Sequence, residues 1–146
     1  MAIVLASQSP RRQELLARIG VEDFKTLSLD IDESYPEGLS PEDTVRYIAK
    51  KKCDAAAALC APDDLIITAD TMVFLGNDRL GKPRDEEDAL RMLRALSGRA
   101  HTVCTGVSVR RGALFVERID GDFFNVMGLP VEQLGLVLAR FGVKLL

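Results

Sequence analysis

Apolar positions along this chain fall into short solid runs and helically spaced stripes, and the two alternate. Ile3 to Ala6 is a solid run, the pattern of a strand buried on both faces. Arg11 to Ile19 carries Leu15, Leu16 and Ile19 as a helical stripe, with Ser9 placed to cap, Pro10 at the first helical position and Gly20 as the stop. Phe24 to Ile31 reads as a strand running into an acidic patch of Asp30, Asp32 and Glu33. Ser40-Pro41-Glu42-Asp43 starts a second helix, with a Ser cap, Pro at the first position and an acid three residues after the cap, and this helix should reach about Leu59. Leu65 to Leu75 is the strongest strand, followed by turn residues Gly76-Asn77-Asp78 and a returning strand over Arg79 to Gly81. Asp85 opens a helix with Ala89, Met92, Leu93 and Leu96 on one face. His101 to Arg110 alternates, Ala113 to Ile119 is a further strand, and Asp120-Gly121-Asp122 is a turn. Pro130 starts a last helix with a stripe of Val131, Leu134, Leu138 and Phe141. Alternating strands and helices place the chain in the α/β class.

Composition narrows the function. The 146 residues make one domain, 47% of them apolar and 28% charged, as in a globular chain with its own core. Lys plus Arg total 19 against 22 acids, a net charge of −3, which lacks the basic excess of a protein that binds nucleic acid polymers. A polyanion would have to be held by a few placed cations or a metal. No apolar run approaches the ~20 residues of a membrane span, and Met1 to Ala6 has no basic region and is too short for a signal peptide. A cytoplasmic protein is the expectation. Cys53, Cys60 and Cys104 have no metal-ligand spacing and read as reduced core residues.

Three segments carry candidate chemistry. Ser7-Gln8-Ser9-Pro10-Arg11-Arg12 brings two hydroxyls and two guanidiniums to a helix N-terminus, where free N–H groups and the dipole favour an anion such as phosphate. The plainer alternative is a capped helix with two solvated arginines. Lys52 shares a helix face with Val45, Ile48 and Ala49, so it points toward the core and either snorkels out or meets an anion. Asp70 lies inside a strand that is apolar on both faces, where an ionised carboxylate is costly unless paired, hydrogen-bonded or metal-bound. Lys52, Lys82 in Leu80-Gly81-Lys82-Pro83, or a divalent metal shared with Glu33 could offset that cost. A strand-end Asp bonded to backbone N–H groups is the bland alternative. No P-loop, dinucleotide fingerprint or nucleophile elbow is present, and His101 reads as structural. Acids that hold a hard metal, ringed by Arg11, Arg12, Lys52 and Lys82, are what phosphoryl chemistry requires. Spacing alone reaches a protein that binds a phosphate compound, with or without cleaving it, and no further.

The segment Leu5 to Leu16 strongly resembles the opening signature of the Maf family of nucleoside triphosphate pyrophosphatases. Asp32-Glu33-Ser34, Ala49 to Lys52, Ala69 to Val73, Leu80 to Pro83, Leu96 to Val103, Ile119 to Asp122 and Val126 to Pro130 resemble its further motifs, in order. The resemblance implies a mixed twisted sheet with flanking helices and a central cleft, similar to the inosine triphosphatase-like fold. It implies hydrolysis of a nucleoside triphosphate to monophosphate and pyrophosphate with Mg or Mn, and a homodimer. It places the acid/base carboxylate on Asp70, substrate-binding roles on Ser9, Arg12, Lys52 and Lys82, and metal binding on Glu33 and Asp70. Arg11 and Thr71 match the specificity positions of the branch acting on dTTP and UTP. Family members carry several dozen more residues between the positions of Arg110 and Arg111, including a helix and a third specificity residue. This chain is therefore expected to be a single domain over 1–146 that lacks part of the C-terminal lobe, through a true internal deletion or a segment missing between two joined pieces.

The expected mechanism has Asp70 position or deprotonate a water for in-line attack on the α-phosphorus while Arg12, Lys52 and Lys82 neutralise phosphate charge. Two other readings stand beside it. One is a catalytically impaired relative that binds nucleotide through the same cradle. The other is a regulatory protein of cell division, a role the resemblance attaches to the family.

Overall fold

A computed structural model describes residues 2–75, 78–80, 85–96, 102–111, 114–123, 131–140 and 142–143; for 78–80, 96, 102, 114–123 and 131–135 it describes the backbone. The elements run β1 (Ile3–Leu5), α1 (Pro10–Arg18), β2 (Lys25–Thr26), α2 (Pro41–Ala57), β3 (Leu65–Leu75), β4 (Asp78–Leu80), α3 (Glu86–Leu96), β5 (Thr102–Arg111), β6 (Leu114–Phe123) and α4 (Val131–Arg140). The strands form one mixed sheet in the order β2-β1-β3-β5-β6, with β4 also paired to β3. The β1 pairings with β2 and β3 are parallel, and the remaining pairings are antiparallel. The α/β reading and the mixed sheet with flanking helices hold.

Strand β3 organises the sheet because it is long and apolar on both faces. Alternation sends Leu65, Ile67 and Ala69 to one face, where they pack with Leu5, Leu15, Leu16, Val107, Val109 and Leu138. Ile66 goes to the other face, beside Cys53 and Ala56 of α2. Strand β5 covers one edge of β3 from Leu65 to Phe74. The other edge is shared: β1 pairs at Leu65 to Ile67, and β4 pairs only from Val73. Residues 68–72 of β3 therefore face an interval between two strands, beyond the carboxyl end of β1, where open α/β sheets form their ligand crevices.

Local signals set the helices as expected. Ser9 Oγ accepts from Arg12 N at the start of α1, and Gly20 ends that helix with φ near +103°, a conformation that suits glycine. Ser40 Oγ accepts from Asp43 N to start α2, and Asp85 Oδ1 accepts from Asp88 N before α3. Cys53 and Cys104 are buried, Cys60 is half-buried, and all three are free thiols. Burial pushes the Cys53 thiol up to about 11, so it stays protonated as core filling.

Three expectations need correction. The strand expected over Phe24 to Ile31 is reduced to Lys25–Thr26. Leu27 N still donates to Leu5 O at 3.0 Å, but β1 ends there, so residues 28–31 lose their partner and leave the sheet. Asp120-Gly121-Asp122 is no turn. These residues pair with Gly106, Thr105 and Cys104 inside β6, because a ten-residue β5 supplies a ladder that overrides local turn preference. On α3 the expected apolar face is only partly covered: Leu93 is 64% exposed, while Ala89 and Met92 are half-buried. Gly76, Asn77, Pro130 and Phe141 lie outside the described residues.

Helix α2 lies close on β5 at one point. A Cβ on Gly106 would stand 2.7 Å from Val45 C and 2.8 Å from Arg46 N, both backbone atoms of α2 that cannot rotate away. Gly106→Ala should therefore cost about 1–3 kcal/mol, the usual scale of overpacking, read as a lower urea midpoint. An unchanged midpoint would mean that α2 can shift off the sheet freely.

Candidate active site

The crevice beside β3 receives side chains from both faces of the sheet. Asp70 follows the alternation of Ile66 and Thr68 toward α2, and Thr71 follows Ile67 and Ala69 toward α1. Helix α2 is held at this level by Thr68 Oγ1, which donates to Ala49 O at 2.6 Å. One turn further on, Lys52 reaches over the sheet. Its Nζ donates to Ala69 O at 3.1 Å and to Asp70 Oδ1 at 3.2 Å, and stands 3.3 Å from Glu33 Oε1. The stripe of Val45, Ile48, Ala49 and Lys52 faces the core as its spacing indicated, and its charged member meets anions rather than snorkelling away.

Asp70 is only 8% exposed. Burial raises its pKa above the ordinary carboxylate value, Lys52 pulls it back by charge and hydrogen bond, Glu33 adds to the rise, and Arg12 opposes it. Its second oxygen, Oδ2, is buried and has no hydrogen-bond partner among the described residues. Glu33 comes from a short acidic turn: Asp32 accepts from Ser34 N at 3.0 Å and from Ser34 Oγ at 2.8 Å, which lowers the Asp32 pKa. Those bonds fix the turn, and the Glu33 carboxylate, half exposed, reaches Lys52.

Arg12 approaches from α1. Its Nη1 donates to Ser7 Oγ at 3.4 Å and its Nη2 to Thr71 Oγ1 at 3.1 Å. Burial lowers its pKa while Asp70 and Glu33 resist the change, and a guanidinium remains charged at any working pH. Arg12, Lys52 and Glu33 line a cavity of about 520 Å³ together with Ser7, Gln8 and Ser9 on one side and Ser28, Leu29 and Ile31 on the other. Asp70 lies one contact behind Lys52.

The structure thus brings Ser9, Arg12, Glu33, Lys52, Asp70 and Thr71 together. Arg11 points elsewhere, pairing with Glu14 at 3.3 Å on the outer side of α1; its neighbour Arg12 takes the inward position because the helix turns by ~100° per residue. Lys82 and His101 lie outside the described residues. Glu33 and Asp70 are joined by no third His, Cys, Asp or Glu side chain in a metal-sized group among the described residues. Sequence pattern does not point to Ser28, Leu29 and Ile31, because their run carries the signature of a strand. Nor does it point to Thr105, whose register opposite Thr71 depends on a pairing between β3 and β5 that residue types do not announce. Among the described residues no helix is long and apolar enough to cross a membrane.

Known proteins resemble this chain in sequence and in fold. A family model described as Maf-like protein matches residues 2–113. A dTTP/UTP pyrophosphatase of Bacillus velezensis is 35% identical over 186 residues, covering 97% of each chain. One from Anaeromyxobacter dehalogenans is 37% identical over 191 residues, covering 98% of this chain and 95% of its own. That aligned span exceeds the 146 residues present here, so at least 45 of its positions have no residue in this chain. In fold, the chain resembles a HAM1 protein from Coxiella burnetii, with a TM-score of 0.62 at 17% identity over 96% of this chain and all of the other. With a match over most of its length and relatives above a third identical across nearly all of it, the chain belongs to the Maf family of nucleoside triphosphate pyrophosphatases.

Proposed function

We propose that this protein hydrolyses dTTP and UTP to the monophosphate and pyrophosphate, with Asp70 as its acid/base carboxylate. The observation that carries the reading is the Asp70–Lys52 contact of 3.2 Å at the wall of a cavity lined by hydroxyls and cations. Burial that raises this carboxylate above its usual pKa makes it a stronger base than an exposed aspartate. Water attacks the α-phosphorus, the new P–O bond forms as the bond to the bridging oxygen breaks, and pyrophosphate leaves. Asp70 takes the proton of the attacking water. Arg12 and Lys52, with Lys82 as a third cation, balance charge on the phosphates, and Ser9 offers its hydroxyl at the start of α1.

The acids also fit a divalent cation such as Mg or Mn. Asp70 Oδ2 is buried without a partner among the described residues, and Glu33 presents a half-exposed carboxylate to the same lysine. Two carboxylates plus substrate oxygens and water are the usual donor set for a hard ion at a phosphate site. Bound there, the metal would draw charge from the phosphate oxygens. Specificity for dTTP and UTP rests on Thr71 and on the names of the relatives. Arg11, turned toward Glu14, is the weaker of the two specificity positions.

The residues absent relative to family members fall, on this reading, between Arg110 and Arg111. Strands β5 and β6 pair from Arg111↔Leu114 onward, so only residues 112–113 separate them. This shortening favours a second reading, nucleotide binding without turnover. Incubation with each triphosphate and Mg or Mn, followed by chromatography of the nucleotide product, separates the two. TMP or UMP with pyrophosphate supports hydrolysis, whereas binding without product supports the second reading.

Asp70→Asn should lower turnover by at least ~100-fold, the low end for a general base; near-normal turnover would remove Asp70 from the chemistry. Lys52→Ala should weaken triphosphate binding more than it lowers the unfolding midpoint, and the reverse order would make this lysine structural. Stability adds a pH test. A folded-state pKa raised above 3.8 means that the contribution of Asp70 is present at lower pH and is lost as pH rises through the folded value. In metal-free buffer, the stability of Asp70→Asn relative to the parent should therefore improve from pH ~4 to pH ~7. A relative stability that worsens over this range would show the carboxylate to be favoured in its ionised form.

A further inference from the structure

The face of β5 that meets the core beside α1 is apolar at Val107 and Val109, yet the next position in the same alternation is Thr105, 2% exposed. A valine would fill that volume without a polar group to satisfy. Among the described residues the hydroxyl has one partner: Thr105 Oγ1 stands 2.9 Å from Thr71 Oγ1, and the two residues are direct cross-strand partners. Thr71 Oγ1 in turn accepts from Arg12 Nη2 at 3.1 Å. We propose that Thr105 is a positioning residue that sets the orientation of the Arg12 guanidinium through Thr71.

The chemistry of the chain supports this order. A hydroxyl has one proton and two lone pairs. Thr71 spends one lone pair on Arg12, and its bond with Thr105 takes either its proton or its second lone pair, which leaves one further site. That second bond holds the Thr71 oxygen at one χ1 angle, aimed at α1. Arg12 is then gripped at both ends of its fork, by Ser7 on Nη1 and by Thr71 on Nη2, and is ordered before any ligand arrives. Thr105 is too deeply buried to touch a nucleotide, so whatever it contributes passes through its neighbour. An arginine already ordered loses less side-chain freedom on meeting phosphate, and the gain appears in binding rather than in the chemical step.

This inference rests on Arg12 as a phosphate ligand, so the test has one arm that depends on nucleotide and one that does not. In the full chain, Thr105→Val removes the hydroxyl at nearly constant volume and Thr105→Ser keeps it. Binding of an α,β-methylene analogue of dTTP is followed by calorimetry, together with KM and kcat for dTTP. Thr105→Val should raise Kd and KM about fivefold, the scale of one net hydrogen bond, with kcat changed less than twofold, and Thr105→Ser should restore both. In a Thr71→Val background, Thr105→Val should add nothing. Unchanged Kd in Thr105→Val, or a full additional loss on top of Thr71→Val, would overturn the relay. Side-chain ¹⁵N relaxation at Arg12 Nε gives the independent arm: its order parameter should fall in Thr105→Val and hold in Thr105→Ser, and equal order in all three proteins would overturn the proposal. If the parent binds no analogue, the functional reading fails while the relaxation result still decides the relay. Should the valine variant not fold, Thr105→Ala removes the same hydroxyl without a new branch and carries the same expectations.

Discussion

Bringing a lysine on one layer to an aspartate on another is the constraint that the rest of the molecule serves. Lys52 Nζ meets Asp70 Oδ1 at 3.2 Å only because α2 lies tight on the sheet and β3 runs past the end of β1. Each ion would be expensive to bury alone. Together they also draw on a backbone carbonyl, Ala69 O, and on Glu33 from the adjoining turn. Among the described residues the balance is incomplete, since one oxygen of Asp70 is buried with no partner there and burial still dominates its raised pKa. That residual imbalance leaves a carboxylate in want of a proton or a cation one contact behind the cavity wall, next to Lys52.

Several features far apart in sequence converge on that contact. Gly106 stands opposite Asp70 in the β3–β5 register and leaves room for the backbone of α2 at Val45 and Arg46. Thr68 ties Ala49 O to the sheet one helical turn before Lys52. Both interactions fix the height of α2, and so the reach of its lysine. On the opposite face, Arg12 leaves the first turn of α1, and Thr71, held by Thr105, meets it. Adjacent residues of a single strand, Asp70 and Thr71, thereby address two helices on two sides of the sheet, as the alternation of a strand requires.

The outermost strand of the sheet beyond β5 takes no part in the central ion pair. The pairing of β5 with β6 extends the sheet on the side of β5 away from β3, and the Asp70–Lys52 contact is made without it. The contacts of the candidate site come from α1, α2, β3, β5 and the turn that carries Glu33, and none of those described involves β6.

Sequence by itself determined the elements whose signals are local. Ser9, Ser40 and Asp85 as caps, the two-faced apolar run of β3, and the core-facing stripe that includes Lys52 were all legible, because capping and periodicity depend on residues within one or two turns. Asp70 was legible for the same reason, as a charge where periodicity demanded an apolar residue. Tertiary structure alone decided what depends on partners. Ser28, Leu29 and Ile31 became a cavity wall because β1 ended too early to pair with them, and Asp120 to Asp122 became strand because β5 was long enough to hold them. It alone chose Arg12 over Arg11 for the interior and set Thr105 behind Thr71. Strand register and helix rotation are properties of the assembled sheet, and no window of residues contains them.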